Sequence, residues 1–203
     1  MTLFDKSIGA LTSGDLQELL TDQAVENVRL EFKSVDPSKD EMLKKLSSFA
    51  NTYGGYMVVG AAADGAGKLQ SLPGVATING YRQRIVQWCY DGAWPPLEIF
   101  VSDPIVSPQD ATKVCYVIEV PLSAETPHFL DGRNGAYVRT DEFSQRFEPR
   151  LATYEELTHL GNRRTALVQR RERLTQRAID RFNTFVQNTY EKTEGTKGSI
   201  GAT

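Results

Sequence analysis

A strand, a helix and a second strand follow one another between residues 28 and 60, and this unit constrains the fold more than any other feature. Residues 28–33 (VRLEFK) alternate apolar and charged side chains, which predicts a half-buried strand with its charges on one face. Ser38 precedes a run of apolar residues spaced three and four apart, which predicts a helix that ends at Gly54-Gly55. Residues 56–60 (YMVVG) then predict a strand buried on both faces.

Beyond this unit the pattern continues to mix both types of element. The further predicted elements are a helix at 81–90, a hairpin of strands 97–101 and 113–120, a short strand at 135–140, and a helix from Thr153 to about Tyr190 that is interrupted near Gly161. The chain is therefore expected to be α+β, a mixed β-sheet flanked by helices, with a long C-terminal basic helix. We divide it into a domain at residues 1–160, the basic helix at 161–192 and a flexible tail at 193–203.

The composition excludes several classes of protein. With 40% hydrophobic and 24% charged residues in 203, wholesale disorder is excluded, and no stretch approaches the ~18 apolar residues of a membrane span. We expect a soluble, cytoplasmic protein without a membrane partner. Cys89 and Cys115 each lie in an apolar run, which favours buried free thiols over a disulfide. His128 and His159 have no nearby cysteine, so each is expected to be a surface or structural histidine.

The net charge of −3 is the sum of two unlike parts. Residues 163–181 contain seven arginines and only two acidic residues, a local charge of +5. Residues 182–203 are balanced, so residues 1–162 carry −8. An acidic domain therefore continues into a basic helix, and the acidic overall charge does not exclude a polyanionic partner.

Four charged side chains in the first 64 residues form a candidate catalytic site. Glu26 and Glu31 lie five residues apart, so they share a side only if the chain bends near Asn27. Asp64 follows the 56–60 strand, where open sheets place ligand groups. Carboxylates from neighbouring strands suit Mg²⁺ or Mn²⁺, and Lys33 would then face a scissile phosphate. The alternative is that these side chains are solvated or paired across strands, and that Asp64 is only a turn residue.

Several motifs resemble the Schlafen AlbA-type domain family. The family pattern has an E-x(4)-E-F-K strand, here residues 26–33, and an A-F-A-N-T-x-G-G helix end, here the similar SFANTYGG of residues 48–55. Residues 119–128 (EVPLSAETPH) and 135–140 (GAYVRT) are similar to its later strands, and residues 155–164 resemble its closing helix. The resemblance covers roughly residues 20–164.

This resemblance implies a nucleic-acid-binding module in many bacterial members. In animal members it implies a metal-dependent endoribonuclease that acts on structured RNA such as tRNA. Carried over to this chain, Glu26, Glu31 and Lys33 match the family positions, with Glu26, Glu31 and Asp64 as ligands of Mg²⁺ or Mn²⁺. Asp64 lies about one position late, because residues 61–63 are alanines where the family has its acidic pair. The animal nuclease has two such lobes, so a dimer would be needed here.

The basic helix has three interpretations. It docks one face on the domain or on a second copy, its arginines contact phosphates, or it binds an acidic protein surface. As phosphate contacts we single out Arg163, Arg164, Arg170 and Arg171, together with Arg139 on the 135–140 strand. For Arg139 the alternative of a cross-strand pair with a carboxylate is favoured.

The expected function is nucleic-acid binding, with RNA favoured over DNA. Metal-dependent endoribonuclease activity is the catalytic extension of that hypothesis. The alternatives are a non-catalytic interaction or oligomerisation module, with homo-oligomers as partners, and a DNA-binding transcriptional regulator. No helix-turn-helix pair is evident in the sequence.

Overall fold

The structure, a computed structural model, describes residues 6–130, 135–140 and 147–197. After a short 3₁₀ turn at Ile8–Ala10, the helices are α1 (Ser13–Thr21), α2 (Lys39–Asn51), α3 (Tyr81–Gly92) and α4 (Tyr154–Lys197). The longer strands are β1 (Leu30–Lys33), β2 (Gly55–Val59) and β8 (Val114–Val120). The short strands are β3 (Ala62–Ala63), β4 (Leu69–Ser71), β5 (Ala93–Trp94), β6 (Phe100–Val101), β7 (Ile105–Val106), β9 (Phe129–Leu130), β10 (Tyr137–Val138) and β11 (Arg150–Leu151).

The central sheet has the order β1-β2-β8-β6, and β7 also pairs with β8. Strands β1 and β2 are parallel, with Glu31 opposite Met57, whereas β8 runs antiparallel to β2, β6 and β7. The remaining short strands form three two-stranded ladders, β3-β4, β5-β9 and β10-β11. The sheet is therefore mixed, and the α+β fold expected from the sequence is confirmed.

The two faces of the central sheet are both covered. One face buries Met57, Val59 and Ile118 against α2 and α3. The other buries Phe32 and Val58 against α1 and the loop segments around it. Because β1 lies at the edge of the sheet and is covered on both faces, any charged side chain on this strand must find a partner inside the protein.

The helix boundaries follow from local chemistry. The Ser38 hydroxyl accepts a hydrogen bond from Glu41 N (3.3 Å), which confirms the predicted N-cap of α2. The helix ends at Asn51, and Gly54 follows with φ +67°. Glycine is required at this position because a Cβ there would lie 2.8 Å from Val120 O. The predicted antiparallel pairing of segments 97–101 and 113–120 is present between β6 and β8. The segment between them is not only a loop, because it contains β7, which also pairs with β8. Cys89 and Cys115 are buried free thiols, as expected.

The helix α4 differs from its prediction at both positions where a break was expected. It passes through Gly161 without interruption and continues to Lys197, beyond residue 193 where the flexible tail was placed. A single glycine costs a helix only about 1 kcal/mol relative to alanine, which its neighbours offset. Residues 198–203 of the predicted tail lie outside the described residues.

The chain divides into two compact units, Met1–Gly161 and Asn162–Thr203. The first contains the sheet and the helices α1 to α3, and the second consists of the greater part of α4. Within the described part of the chain, no helix combines the length and the apolar character needed to cross a membrane.

Candidate functional site

The charged face of β1 is buried, not half-exposed as its alternating pattern predicts. Glu31 is only 4% exposed and lies on the same side of the sheet as Met57, facing α2. The prediction of a half-buried strand is therefore wrong. The physical reason is that α2 and the β10 segment bring cations to this face, so a carboxylate can be buried with its counterions.

Three cationic side chains converge on the Glu31 carboxylate. Arg139 Nη2 lies 2.8 Å from Oε2, Lys45 Nζ lies 2.8 Å from Oε1, and Lys33 Nζ lies 3.3 Å from the same Oε1. Burial alone would raise the pKa of Glu31, but the charges of Arg139 and Lys45 outweigh it and hold the pKa below its ordinary value. Glu31 is therefore ionised at neutral pH. We call these four residues the Glu31 cluster.

The end of α2 fixes Arg139 in this cluster. The Thr52 hydroxyl accepts a hydrogen bond from Arg139 N (3.0 Å), and the Phe49 ring lies 4.3 Å from the guanidinium carbon. The Asn51 amide donates to the carbonyls of His128 (3.1 Å) and Tyr137 (2.9 Å), which ties β9 and β10 to the helix. The F-A-N-T segment thus holds the arginine that neutralises Glu31.

Glu26 reaches β1 through a tight turn. Asn27 N and Leu30 N each donate to the other residue's carbonyl (3.0 and 3.2 Å), which supplies the bend that the odd spacing of the two glutamates required. Glu26 Oε1 then accepts a hydrogen bond from Phe32 N on the open edge of β1 (2.9 Å). Burial raises the pKa of Glu26, and the nearby charge of Glu31 adds to that increase. The two glutamates are therefore neighbours, and among the described residues Glu31 is the one of the two that forms ion pairs with cations.

Asp64 is a fully exposed residue whose carboxylate organises its own turn. Oδ1 accepts hydrogen bonds from Ala66 N (2.8 Å) and Lys68 N (3.0 Å), and Oδ2 accepts one from the Gln70 amide (2.9 Å). The two backbone donors are the main reason that the pKa of Asp64 is lowered. The turn contacts Glu26 through Gly67, whose carbonyl accepts a hydrogen bond from Glu26 N (2.8 Å).

The donor set does not fit a divalent metal held by three carboxylates. Among the described residues, no three His, Cys, Asp or Glu side chains are grouped so that they could hold a metal ion. Glu31 already pairs with three cations, and the Asp64 carboxylate oxygens accept hydrogen bonds from residues of their own turn. A metal at Glu26 and Glu31 would have to compete with Arg139 and Lys45 for the Glu31 oxygens.

Lys45 is the member of the cluster that sequence reasoning missed. It lies on α2 with a side chain only 5% exposed, and it also contacts Glu148 Oε2 (2.6 Å). A signal was present, because Lys45 is three residues after Met42 and four before Phe49, both of which are buried. A lysine in the apolar stripe of an amphipathic helix must have a buried partner, and Glu31 is the acid that faces it.

His128 has a structural environment, as the sequence led us to expect. It is 1% exposed, its Nδ1 lies 2.7 Å from Pro95 O, and its Nε2 lies 2.7 Å from Ser123 Oγ. These contacts join the segment before β9 to the loop after α3.

The arginines of α4 lie on an open helix surface. Arg163 is half-buried, whereas Arg164, Arg170 and Arg171 are exposed. By contrast, the side chain of Arg139 has no exposed surface and is bonded to Glu31. A phosphate contact by Arg139 would require it to leave that carboxylate, so its observed role is to position and neutralise Glu31.

Comparison with known proteins gives one family match. The family model described as "Schlafen, AlbA_2" matches residues 26–148, which is more than half of the chain. No curated protein matches it. The N-terminal domain of a putative ATP-dependent DNA helicase RecG-related protein from Nitrosomonas europaea is similar in structure, with a TM-score of 0.44 and 18% identity over 71% of this chain and 96% of that one. The DIP2311 protein from Corynebacterium diphtheriae gives 0.39 and 14% over 67% of this chain, which spans only 30% of that protein.

Proposed function

This chain belongs to the Schlafen AlbA_2 family, and on that premise we propose that it binds nucleic acid. We assign the phosphate contacts to α4, which lies beyond the matched residues 26–148. The observation that carries the proposal is the concentration of charge on this helix. Seven arginines and two acidic residues lie between residues 163 and 181, and all but Arg163 of these arginines are exposed. A row of exposed arginines binds phosphates electrostatically and independently of base sequence.

Four of these arginines share one face of the helix. Arg170, Arg173, Arg177 and Arg181 are separated by three, four and four residues, a spacing that aligns side chains along a helix. We call them the α4 arginine face. It extends for about 16 Å along the helix axis, at 1.5 Å per residue. Several consecutive phosphates of one strand can therefore contact it together.

We further propose that RNA is preferred over DNA. The support is the family resemblance, because the animal relatives that it implies act on structured RNA. Electrostatic contacts with phosphates do not distinguish ribose from deoxyribose, so the preference must come from backbone shape or from the 2′-hydroxyl. Competition between ribo- and deoxyribo-oligonucleotides of one sequence tests it, and equal affinity would contradict the preference.

The salt dependence of binding tests the main proposal. Fluorescence anisotropy with a labelled single-stranded RNA should show affinity that falls steeply with salt, each phosphate contact adding about 0.7 to the logarithmic slope. The double variant Arg173→Gln/Arg177→Gln should reduce that slope by about 1.4. Lys39→Gln/Lys113→Gln removes the same charge from exposed sites in the first unit and is the matched control. Equal slopes in both double variants would refute the proposal.

Metal-dependent RNA cleavage is a second candidate, favoured by the proximity of Glu26 and Glu31. The charge of Glu31 contributes to the raised pKa of Glu26, so the two carboxylates lie within electrostatic reach of each other. A Mg²⁺ or Mn²⁺ ion would be held by these two, and it would stabilise charge on the scissile phosphate when bound. Incubation of tRNA with Mn²⁺ and either the wild-type protein or Glu26→Gln is the test. Cleavage that is absent, or unchanged in Glu26→Gln, contradicts this candidate.

The non-catalytic alternative is self-association. Exposed apolar residues lie along α4, and a second copy of the chain could cover them. Among them are Leu167, Leu174 and Phe182, which are 40%, 56% and 66% exposed. Sedimentation equilibrium, together with the anisotropy assay, separates self-association from nucleic-acid binding. An oligomer without affinity for the oligonucleotide would favour the interaction module.

A further inference from the structure

Two lysines of the Glu31 cluster are directed at the same point. Lys45 Nζ lies 2.8 Å and Lys33 Nζ 3.3 Å from Glu31 Oε1. Because both ammonium groups contact a single oxygen, one small anion beside Glu31 can contact both of them. Lys33 lies on β1 and Lys45 on α2, so their spacing is set by the packing of helix on sheet.

The second partner of each lysine is a glutamate at the protein surface. Glu148 Oε2 lies 2.6 Å from Lys45 Nζ, and the side chain of Glu148 is 62% exposed while that of Lys45 is 5% exposed. Glu41 Oε1 lies 2.9 Å from Lys33 Nζ, and its side chain is 44% exposed. Glu148 therefore pairs, from the protein surface, with a lysine whose side chain is almost fully buried. Because both carboxylates are exposed to solvent, each can leave its lysine for water when a competing anion takes its place.

The charges within the cluster favour another anion once Glu41 and Glu148 leave their lysines. Arg139, Lys45 and Lys33 supply three positive charges, and Glu31 is the one carboxylate that all three contact. In addition, Arg139 Nε and Nη1 are buried and have no hydrogen-bond partner among the described residues. Buried cationic donors without acceptors are unfavourable. Without Glu41 and Glu148, the cluster therefore has more donors than Glu31 alone can satisfy.

We propose that Lys33 and Lys45 form a phosphate-binding site, and that Glu41 and Glu148 occupy it with their own carboxylates until a phosphate group displaces them. A carboxylate oxygen on a lysine stands where a phosphate oxygen would lie, with the same charge-assisted hydrogen bonds. The site lies in the first unit and does not involve the arginine face. It rests on the proposed function only for the source of the phosphate, which is then the nucleic-acid backbone.

Titration with inorganic phosphate at constant ionic strength, maintained with chloride, is the direct test. Lysine methylene resonances followed by NMR should shift for Lys33 and Lys45 together and saturate. Glu148→Gln and Glu41→Gln should each bind phosphate about two- to fivefold more tightly, because each removes a competing surface ion pair. The matched control is Glu98→Gln, which removes one exposed carboxylate outside the cluster and should leave phosphate affinity within twofold of wild type.

Two further arms make the outcome decisive. Arg173→Gln/Arg177→Gln should bind phosphate like the wild type, so failure of the arginine face as an RNA site leaves this result unaffected. An oligonucleotide with a 5′-phosphate and the same oligonucleotide without it distinguish a terminal phosphate from a backbone phosphodiester. The proposal is overturned if phosphate shifts the Lys33 and Lys45 resonances no more than chloride does. It is also overturned if Glu148→Gln and Glu41→Gln gain no more phosphate affinity than Glu98→Gln.

Discussion

Replacing Glu31 by glutamine should destabilise the first unit more than any other single loss of charge in the Glu31 cluster. The substitution keeps the side-chain volume and one acceptor oxygen but removes the counterion of Arg139 and Lys45, whose side chains are 0% and 5% exposed. Lys33 is 22% exposed and keeps Glu41, so it adds little to the cost. Lys45 keeps only the exposed carboxylate of Glu148, and Arg139 loses its ion pair with Glu31. Removing one partner of a buried ion pair costs about 3–5 kcal/mol.

That magnitude is a large fraction of the free energy of unfolding, which is about 5–15 kcal/mol for an ordinary domain. Urea denaturation followed by tryptophan fluorescence measures it selectively, because Trp88 and Trp94 both lie in the first unit. With a dependence of about 2 kcal/mol per molar urea, the midpoint should fall by about 2 M. Glu41→Gln removes the exposed partner of Lys33 and should lower the free energy of unfolding by less than about 1 kcal/mol.

The pH dependence of the difference adds a second check. Because the pKa of Glu31 is lowered in the folded protein, its contribution is complete above the ordinary value of 4.5 and is lost as the pH falls below it. The wild-type protein and Glu31→Gln should therefore differ by a constant amount near neutrality and converge in acid. A loss no larger than that of Glu41→Gln, or a difference that persists unchanged into acid, refutes the view that Glu31 is the counterion on which the buried cations depend.

Three further outcomes are expected. Gly54→Ala should lower the free energy of unfolding by at least 2 kcal/mol in the urea assay, because φ is +67° and the new Cβ would lie within 3.0 Å of main-chain atoms of residues 120–122. Gly161→Ala should instead raise the helix content measured by circular dichroism. No atom lies within 4 Å of the new Cβ, and alanine is favoured over glycine in a helix by about 1 kcal/mol. An unchanged or lower helix content would contradict this prediction. The pKa of Glu156 is lowered to about 2, chiefly by hydrogen bonds from Arg150. The wild-type protein should therefore lose its stability advantage over Glu156→Gln as the pH falls from 4.5 to 2. An advantage that stays constant over this range would contradict the lowered pKa.

The order of elements was predictable because it depends on local signals. The N-cap at Ser38, the alternation in β1 and the apolar run of β2 each fix one element without knowledge of the rest. The start of α4 at Thr153 was likewise predictable from a local signal, an N-cap residue. In the structure Thr153 N donates to the Glu156 carboxylate (2.8 Å), and the Thr153 hydroxyl accepts from Glu156 N (3.3 Å).

The site was predictable only in part, because burial of β1 depends on residues far away in the sequence. Glu31 and Lys33 were identified as a pair, but Arg139 meets Glu31 across 108 positions, and Lys45 reaches both Glu31 and Glu148. Alternation along a strand reports which side chains share a face, not whether that face is solvated. The sequence therefore placed the charges correctly on one face and predicted the wrong environment for them.

The placement of Glu31 makes its two proposed roles mutually exclusive in a single state of the site. As the counterion of Arg139 and Lys45, Glu31 keeps Lys45 in position to bind a phosphate. As a metal ligand it would no longer pair with Arg139 and Lys45, and these two buried cations would repel each other. Phosphate binding at Lys33 and Lys45 should therefore be unaffected or weakened by Mn²⁺, and it should persist when Glu26 is replaced. If Mn²⁺ instead strengthens phosphate binding in the wild type but not in Glu26→Gln, then the carboxylate pair, and not the lysine pair, organises the site.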